Sequence, residues 1–390
     1  MQLTPTIPEQ DVSIARLGVI GGGQLAWMMA GVAPALGIEL VVQTPKSSDP
    51  AAPFAAETIL SAIDDASATA RLAQHCQVIT FENEFVDLLA LEKLERQGVC
   101  FRPSLKTLEP LLDKYHQRCF LKDLGLPVPE FIALDGNSPI PEVDFPIVMK
   151  ARRHGYDGQG TAILKDRESL AKTWEKWGHP AVILEAFVPF DRELAAIAAR
   201  NSSGEIAIYP IVETQQENQV CRRVLVPAEI PQSVVLECET IARKLLERTQ
   251  AVGIFGIELF LTADGKLLVN EIAPRTHNSG HFSLDACRTS QFEQHLRAVS
   301  DRPLGSPELL YPGAVMVNLL GYESAQYDYP EKRCQLAEIP NACVRWYGKS
   351  ESRPGRKLGH VTVPLNAPSH QLRQLGLEMA RTIESIWYDS

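Results

Sequence analysis

The chain has 390 residues, 45% apolar and 22% charged, a balance that points to a globular protein of two or three domains and excludes disorder, collagen and coiled coil for the whole. Acidic residues outnumber basic ones by 48 to 38, and a formal charge of −10 excludes a protein that works by neutralising a nucleic-acid backbone, so any anionic ligand needs a local site. Eight cysteines without zinc spacing, no signal-like start and no bilayer-length apolar run give the expectation of a cytoplasmic protein with reduced thiols and no membrane partner.

Residues 1–14, polar with two prolines, read as a loose extension. Ala15–Ile20 is a short apolar strand, the turn from Gly21 to Gln24 follows, and a helix is predicted over Leu25–Leu36, stopped by Gly37. Further strands at Ile38–Gln43, Val78–Phe81 and Val99–Phe101 alternate with helical runs at Asp65–His75 and Val86–Gln97. This alternation predicts a parallel, Rossmann-like sheet over residues 15–111. The spacing Gly21-x-Gly23-x-x-Ala26 fits a dinucleotide fingerprint, but Gln43-Thr44-Pro45 stands where a ribose-gripping acid belongs, which argues against NAD. Two readings stay open for the turn: a phosphate site, or glycines serving close packing alone. Glu82 and Glu84 end a strand where open parallel sheets bind ligands, the alternative being a solvated loop.

A second domain is expected over residues 112–188. It opens with an amphipathic helix at Asp113–Gly125, and the strand Phe145–Ala151 carries Lys150 into the glycine-rich loop Arg152–Gly160, which returns as the strand Thr161–Lys165. A P-loop needs a helix after its glycines and the sequence G-x-x-x-x-G-K-[ST]; neither is present, so the loop reads as a flap over a ligand or as a plain hairpin. A helix about Leu170–Trp177 is followed by the strand starting at Ala181. That strand runs into the apolar connector Ala186–Phe190, a slot for a planar base, before the next strand over Glu193–Arg200.

Residues 189–390 form the last expected domain. Asp264-Gly265 has the composition of a two-residue hairpin turn, which would oppose Glu258 and Glu271, equidistant from it, on one face of the strand pair. Two carboxylates so close repel, and a cation between them resolves this. Oxygen ligands in a pair suit Mg²⁺ bridged to phosphates, the alternative being a solvated sheet face. The loop Ala273–His281 brings together Arg275, His277, Asn278 and His281, a set suited to a small oxyanion, the alternative being a surface loop without ligand. Trp346–His360, with Lys349, Arg353, Arg356 and Lys357, is a basic glycine-containing turn that fits a phosphate monoester.

Taken in order, the motifs Gly-Gly-Gly-Gln-Leu, Gly-Tyr-Asp-Gly, the Glu258/Glu271 pair, Asn270-Glu-Ile-Ala-Pro-Arg-x-His-Asn-Ser-Gly-His281 and Arg353-Pro-Gly-Arg-Lys-Leu-Gly-His360 closely resemble the 5-(carboxyamino)imidazole ribonucleotide synthases. The resemblance covers about residues 16–385 and implies an α/β chain: an N-terminal Rossmann-like domain followed by the two ATP-grasp subdomains. It further implies a homodimeric ligase of purine biosynthesis that uses ATP and Mg²⁺ to join bicarbonate to aminoimidazole ribonucleotide. Lys114, Lys150 and the flap residues Gly155, Tyr156, Asp157, Gly158, Gln159 and Gly160 match ATP contacts. Glu185 with Ala186, Phe187 and Val188 looks like the adenine hinge, Glu193 like the ribose ligand, and Gln216 stands at a further ATP contact. Glu258 and Glu271 match the metal ligands, with Asn270 beside them. Arg275, His277 and Asn278 resemble the bicarbonate and carboxyphosphate site, while Gln24, Glu84, Tyr156, Asp157, Lys349 and Arg356 fall where the ribonucleotide binds. Gln159 replaces a basic residue and Gln216 a histidine of the family pattern. Another ATP-grasp carboxylate-amine ligase and a non-catalytic nucleotide-binding relative remain as alternatives.

Overall fold

The computed structural model describes residues 14–136, 138–153, 160–349 and 351–388. Gly155, Tyr156, Asp157, Gly158 and Gln159 of the flap, and the N-terminal extension up to residue 13, lie outside the described residues.

The first sheet is parallel, with strands in the order Glu57–Leu60, Glu39–Thr44, Arg16–Ile20, Val78–Phe81. Helices Ala66–His75 and Leu88–Arg96 start where Asp65 and Asp87 accept hydrogen bonds from first-turn amides, a local signal readable in sequence. The strand expected at Val99–Phe101 is absent: Gly98 takes a left-handed φ of 97° and Pro103 follows closely, leaving room for a single bridge between Phe101 and Ile79. The helix after the glycine turn also ends early, spanning Gln24–Val32, because Pro34 tightens the next turn into a 3₁₀ segment, Ala33–Leu36, closed by Gly37.

A small antiparallel sheet orders Phe131–Leu134, Val182–Ala186, Ile147–Ala151 and Thr161–Leu164. Among the described residues the main sheet has nine strands, in the order Leu267–Ala273, Gly253–Thr262, Phe190–Arg200, Val212–Glu217, Val220–Val226, Gly313–Leu320, Lys357–Leu365 and Cys343–Trp346, with Ile206–Ile208 paired to Phe190–Arg200.

The run Leu194–Ala199 explains how this sheet is covered on both sides. Leu194, Ala196 and Ala198 share a core with the helix Gln232–Thr249, whereas Ala195, Ile197 and Ala199 pack with Ile254, Phe282 and Met316. A strand buried on both faces reads as a continuous apolar run, and its alanines let the covering elements approach. Helix Lys114–Asp123 places Leu121 in this large-sheet core and Tyr115 edge-on against Phe131 of the small sheet, so it stands between the two.

Candidate active site

The hairpin pairs Glu258 directly with Glu271, but not by way of a two-residue turn. Near the turn Leu259 faces Val269, Phe260 faces Leu268 and Leu261 faces Leu267, and the amide of Thr262 donates to Lys266 O at 3.0 Å, which makes a three-residue loop with Gly265 at φ 83°. That register alone would set Glu258 against Asn270. A bulge between Glu258 and Leu259 supplies the compensating residue, and Asn270 is the one left over. Strict alternation would turn one of Asn270 and Glu271 away from the cleft; the bulge lets both face it, as both line it. Two departures from the simple hairpin thus cancel.

The pair is polarised by its surroundings. Lys114 Nζ sits 2.6 Å from Glu271 Oε2; burial opposes ionisation of this carboxyl, but Lys114 outweighs it and holds the pKa below the ordinary value. Burial raises Glu258, and the facing Glu271 raises it further. Asn270 Nδ2 donates to Glu258 Oε2 at 3.0 Å, while its Oδ1 accepts from Lys150 Nζ at 3.1 Å. On the neighbouring strand Glu193, hydrogen-bonded by Gln216, is pushed up to about 7 by burial and by Glu258. Among the described residues no cluster of three or more His, Cys, Asp or Glu side chains forms a closed metal cage. Two carboxylates with an amide beside them suit a hard cation such as Mg²⁺, which completes its shell with phosphate oxygens and water.

Glu185 is held by two cations at the cleft wall. Its carboxylate, 3% exposed, lies between Arg118 Nε at 2.6 Å and Lys150 Nζ at 2.7 Å. Burial alone would raise its pKa, but Lys150 and Arg118 together hold it down at about 2. The adjoining Ala186, Phe187 and Val188 line the cleft with Phe190, which stacks on Phe260 at 4.7 Å between centroids. Beside them Arg152 Nε reaches both oxygens of Asp113, at 2.9 and 3.0 Å, and Arg152 O accepts from the amide of Lys114. The end of the strand Ile147–Ala151 is thereby fixed to the helix that carries Lys114. Gly160, at the flap's other end, accepts from the amide of Ala151 at 2.7 Å and does not line the cleft.

The loop after the hairpin divides its histidines. His277 Nε2 lies 3.4 Å from Glu258 Oε1. His281, grouped with it from the sequence, turns inward instead: it is fully buried against Gln291 and the ring of His360 and takes no part in the cleft. Arg275 Nε pairs with Glu84 Oε1 at 2.9 Å, and Asn278 exchanges amide hydrogen bonds with Asn318 at 2.9 and 2.7 Å.

At the glycine turn, the amides face a carboxyl of the protein itself, whose pKa burial raises. Glu82 Oε1 accepts from the amide of Leu25 at 3.3 Å, at the start of helix Gln24–Val32, and no side chain at Gly23 would clear it. Gln24 itself reaches across the cleft to Lys349, whose Nζ also donates to Lys357 O at 2.6 Å. Arg356 lies on the same turn and donates to Glu351 O at 2.9 Å.

A cleft of about 2110 Å³ is lined by the described residues singled out as site candidates from the sequence, except Gly160, His281 and the turn glycines Gly21 and Gly22. Arg118, Gln291 and Asn318 escaped the sequence reading. Arg118 lies one helical turn from Lys114, a spacing that could have found it. Gln291 and Asn318 reach the site only through distant pairing and left no local signal.

This arrangement defines an ATP-grasp ligase: residues 119–292 match the ATP-grasp domain, residues 14–110 the ribonucleotide synthetase preATP-grasp domain, and residues 314–373 the phosphoribosylaminoimidazole carboxylase C-terminal domain. The chain is 54% identical over 379 residues to the N5-carboxyaminoimidazole ribonucleotide synthase of Synechococcus elongatus, covering 96% of each. It superposes on an ADP complex of N5-carboxyaminoimidazole ribonucleotide synthetase with a TM-score of 0.88 at 32% identity, over 96% of this chain and 98% of that one. An Aspergillus clavatus synthase in complex with ADP and 5-aminoimidazole ribonucleotide gives 0.85 at 29% identity, over 95% and 98%. The chain belongs to the N5-carboxyaminoimidazole ribonucleotide synthase family, the ATP-grasp ligases of purine biosynthesis.

Proposed function

We propose that the cleft carboxylates 5-aminoimidazole ribonucleotide with bicarbonate, consuming ATP and releasing ADP and phosphate by way of carboxyphosphate. The observation that carries this reading is the single cleft joining the Glu258/Glu271 pair, the Arg275–His277–Asn278 loop and the Lys349 turn. Phosphate-binding, carboxyl-binding and ribonucleotide-binding chemistry then meet in one space.

ATP lies with its base against Ala186–Val188 and its ribose at Glu193, and Lys114 and Lys150 neutralise its phosphates; Gln216 supports Glu193. Glu258 and Glu271 would hold Mg²⁺, with Asn270 bridging Glu258 to Lys150. When bound, the metal would supply charge neutralisation on the phosphates. A bicarbonate oxygen attacks the γ-phosphorus and the bond to the β-phosphate oxygen breaks. Arg275 presents a fork of donors that fits the carboxyl group of the product, and His277 and Asn278 flank it. The exocyclic amine of the ribonucleotide then attacks the carboxyl carbon, the carbon–oxygen bond to phosphate breaks, and the amine loses a proton. Gln24, Glu84, Lys349 and Arg356 seat the ribonucleotide, the two cations on its 5′-phosphate.

The same reading divides the chain at 111/112 and 188/189 and takes the active form as a cytoplasmic homodimer. Eight free cysteines agree with a reducing compartment, and no described helix is long and apolar enough to cross a membrane. Bicarbonate labelled with ¹⁸O tests the route. One labelled oxygen should appear in inorganic phosphate for each product formed; phosphate free of label would remove carboxyphosphate from the account.

A further inference from the structure

We infer that Gln291 is a positioning residue that acts through His277, an inference resting on the role given to His277 above. Gln291 begins the helix Gln291–Val299 and is fully buried, outside the cleft. Its amide is matched to both peptide groups of one residue: Oε1 accepts from His277 N at 2.9 Å and Nε2 donates to His277 O at 2.7 Å. Nε2 also lies 3.0 Å from His281 Nδ1, so the same side chain ties both ends of the turn.

The packing is built around this contact. A Cβ on Gly280 would come within 2.5 Å of Gln291 Oε1, so glycine there is what lets the amide in. A Cβ on Gly256 would lie 2.5 Å from His277 Cβ and 2.7 Å from its Cγ, so the imidazole rests on a bare stretch of the strand that carries Glu258. The ring's remaining freedom is taken up by Ser279: its Oγ lies 2.8 Å from His277 Nδ1, and its amide donates to the same nitrogen at 3.4 Å. A backbone amide can only donate, so Nδ1 accepts, and Nε2 carries the proton toward Glu258 Oε1. Gln291 behind, glycine beneath and serine beside leave one orientation for the ring.

Only glutamine meets all the demands. Glutamate keeps the acceptor for His277 N but sets an oxygen against His277 O; asparagine is one methylene short; methionine fills the volume with no hydrogen bond. A displaced backbone at His277 moves the imidazole relative to the reacting carboxyl group, and misplacements of about 1 Å cost up to about 10²-fold in rate.

The test is a double-mutant cycle on the full chain, reading kcat, KM for ATP, KM for the ribonucleotide, and melting temperature. Gln291→Met should lower kcat about tenfold or more with KM for ATP within about twofold, and Gln291→Glu should fall between it and the wild type. In a His277→Asn background, Gln291→Met should cost less than about twofold further, because the side chain it positions is already gone. Wild-type turnover in Gln291→Met, or the same loss in both backgrounds, overturns the inference. If Gln291→Met does not fold, Gln291→Glu takes its place in the cycle under the same criteria. Wild-type turnover in the His277→Asn single variant would instead overturn the role of His277, a separate result visible before the cycle is closed.

Discussion

Lys349 Nζ lies 2.8 Å from Gln24 Oε1, joining two residues 325 positions apart in the chain. The contact brings the basic turn to the start of the first helix. On the proposed reading, a ribonucleotide phosphate at this turn would exchange an amide partner of Lys349 for a dianion.

For Lys349→Ala the account therefore predicts a KM for the ribonucleotide raised about tenfold or more, in line with about 1.5–3 kcal/mol for a hydrogen bond to a charged group. Arg356→Ala should act in the same direction. Steady-state kinetics with each substrate varied in turn should leave the ATP term within a few-fold. Equal weakening of both substrates would make the turn a structural element.

Glu271→Gln should keep the fold, because the change is nearly isosteric, and lower turnover by orders of magnitude through loss of a Mg²⁺ ligand. The variant also frees Lys114 from its 2.6 Å partner, so some ATP affinity should survive while chemistry fails. Equilibrium ATP binding beside turnover at several Mg²⁺ concentrations separates the two. Wild-type turnover at ordinary Mg²⁺ would sink the metal assignment.

Arg275→Lys keeps the charge opposite Glu84 but loses the fork that fits a carboxyl group. Product formation should drop strongly with ATP binding little changed, and ADP released per product should rise as carboxyphosphate escapes to water. A proportional loss of ATP affinity and product would move the arginine into the nucleotide site.

The stability of the chain should depend on three fully buried histidines, His281, His295 and His360. His295 links the first sheet to the main one: its Nε2 lies 2.8 Å from Thr80 Oγ1, and its Nδ1 accepts from Ile254 N at 3.3 Å. Burial lowers its pKa from the ordinary 6.5 to about 4, and burial likewise lowers His360 to about 3 and His281 well below its ordinary value. For His295, both states are neutral above pH 6.5. Between there and pH 4 the unfolded chain takes up a proton that the folded chain refuses, so stability falls with pH. The loss from His295 alone should be on the order of 2 kcal/mol by pH 5. Urea melts at pH 7 and pH 5 check this, and His295→Gln should show a smaller difference between the two.

How far the sequence reached depends on how local each determinant is. Asp65 and Asp87 announce their helices by capping chemistry within a few residues, and the Leu194–Ala199 run announces a strand covered on both faces. The Glu258–Glu271 opposition was reached from a turn that does not exist, since composition at Asp264-Gly265 cannot distinguish a two-residue loop from a three-residue loop with a bulge four residues beyond. The destinations of side chains were less legible. Nothing local says that Glu82 caps a helix that begins at Gln24, that Glu185 binds Arg118 and Lys150, or that His281 turns inward while His277 faces the cleft. Each depends on which distant backbone passes behind the residue.

The most direct test of the central claim is ADP release by the purified chain at fixed bicarbonate and Mg²⁺, measured with and without 5-aminoimidazole ribonucleotide. Release should rise strongly with the ribonucleotide and match product one for one. Release that ignores the ribonucleotide, or ATP binding with no release under either condition, would contradict it.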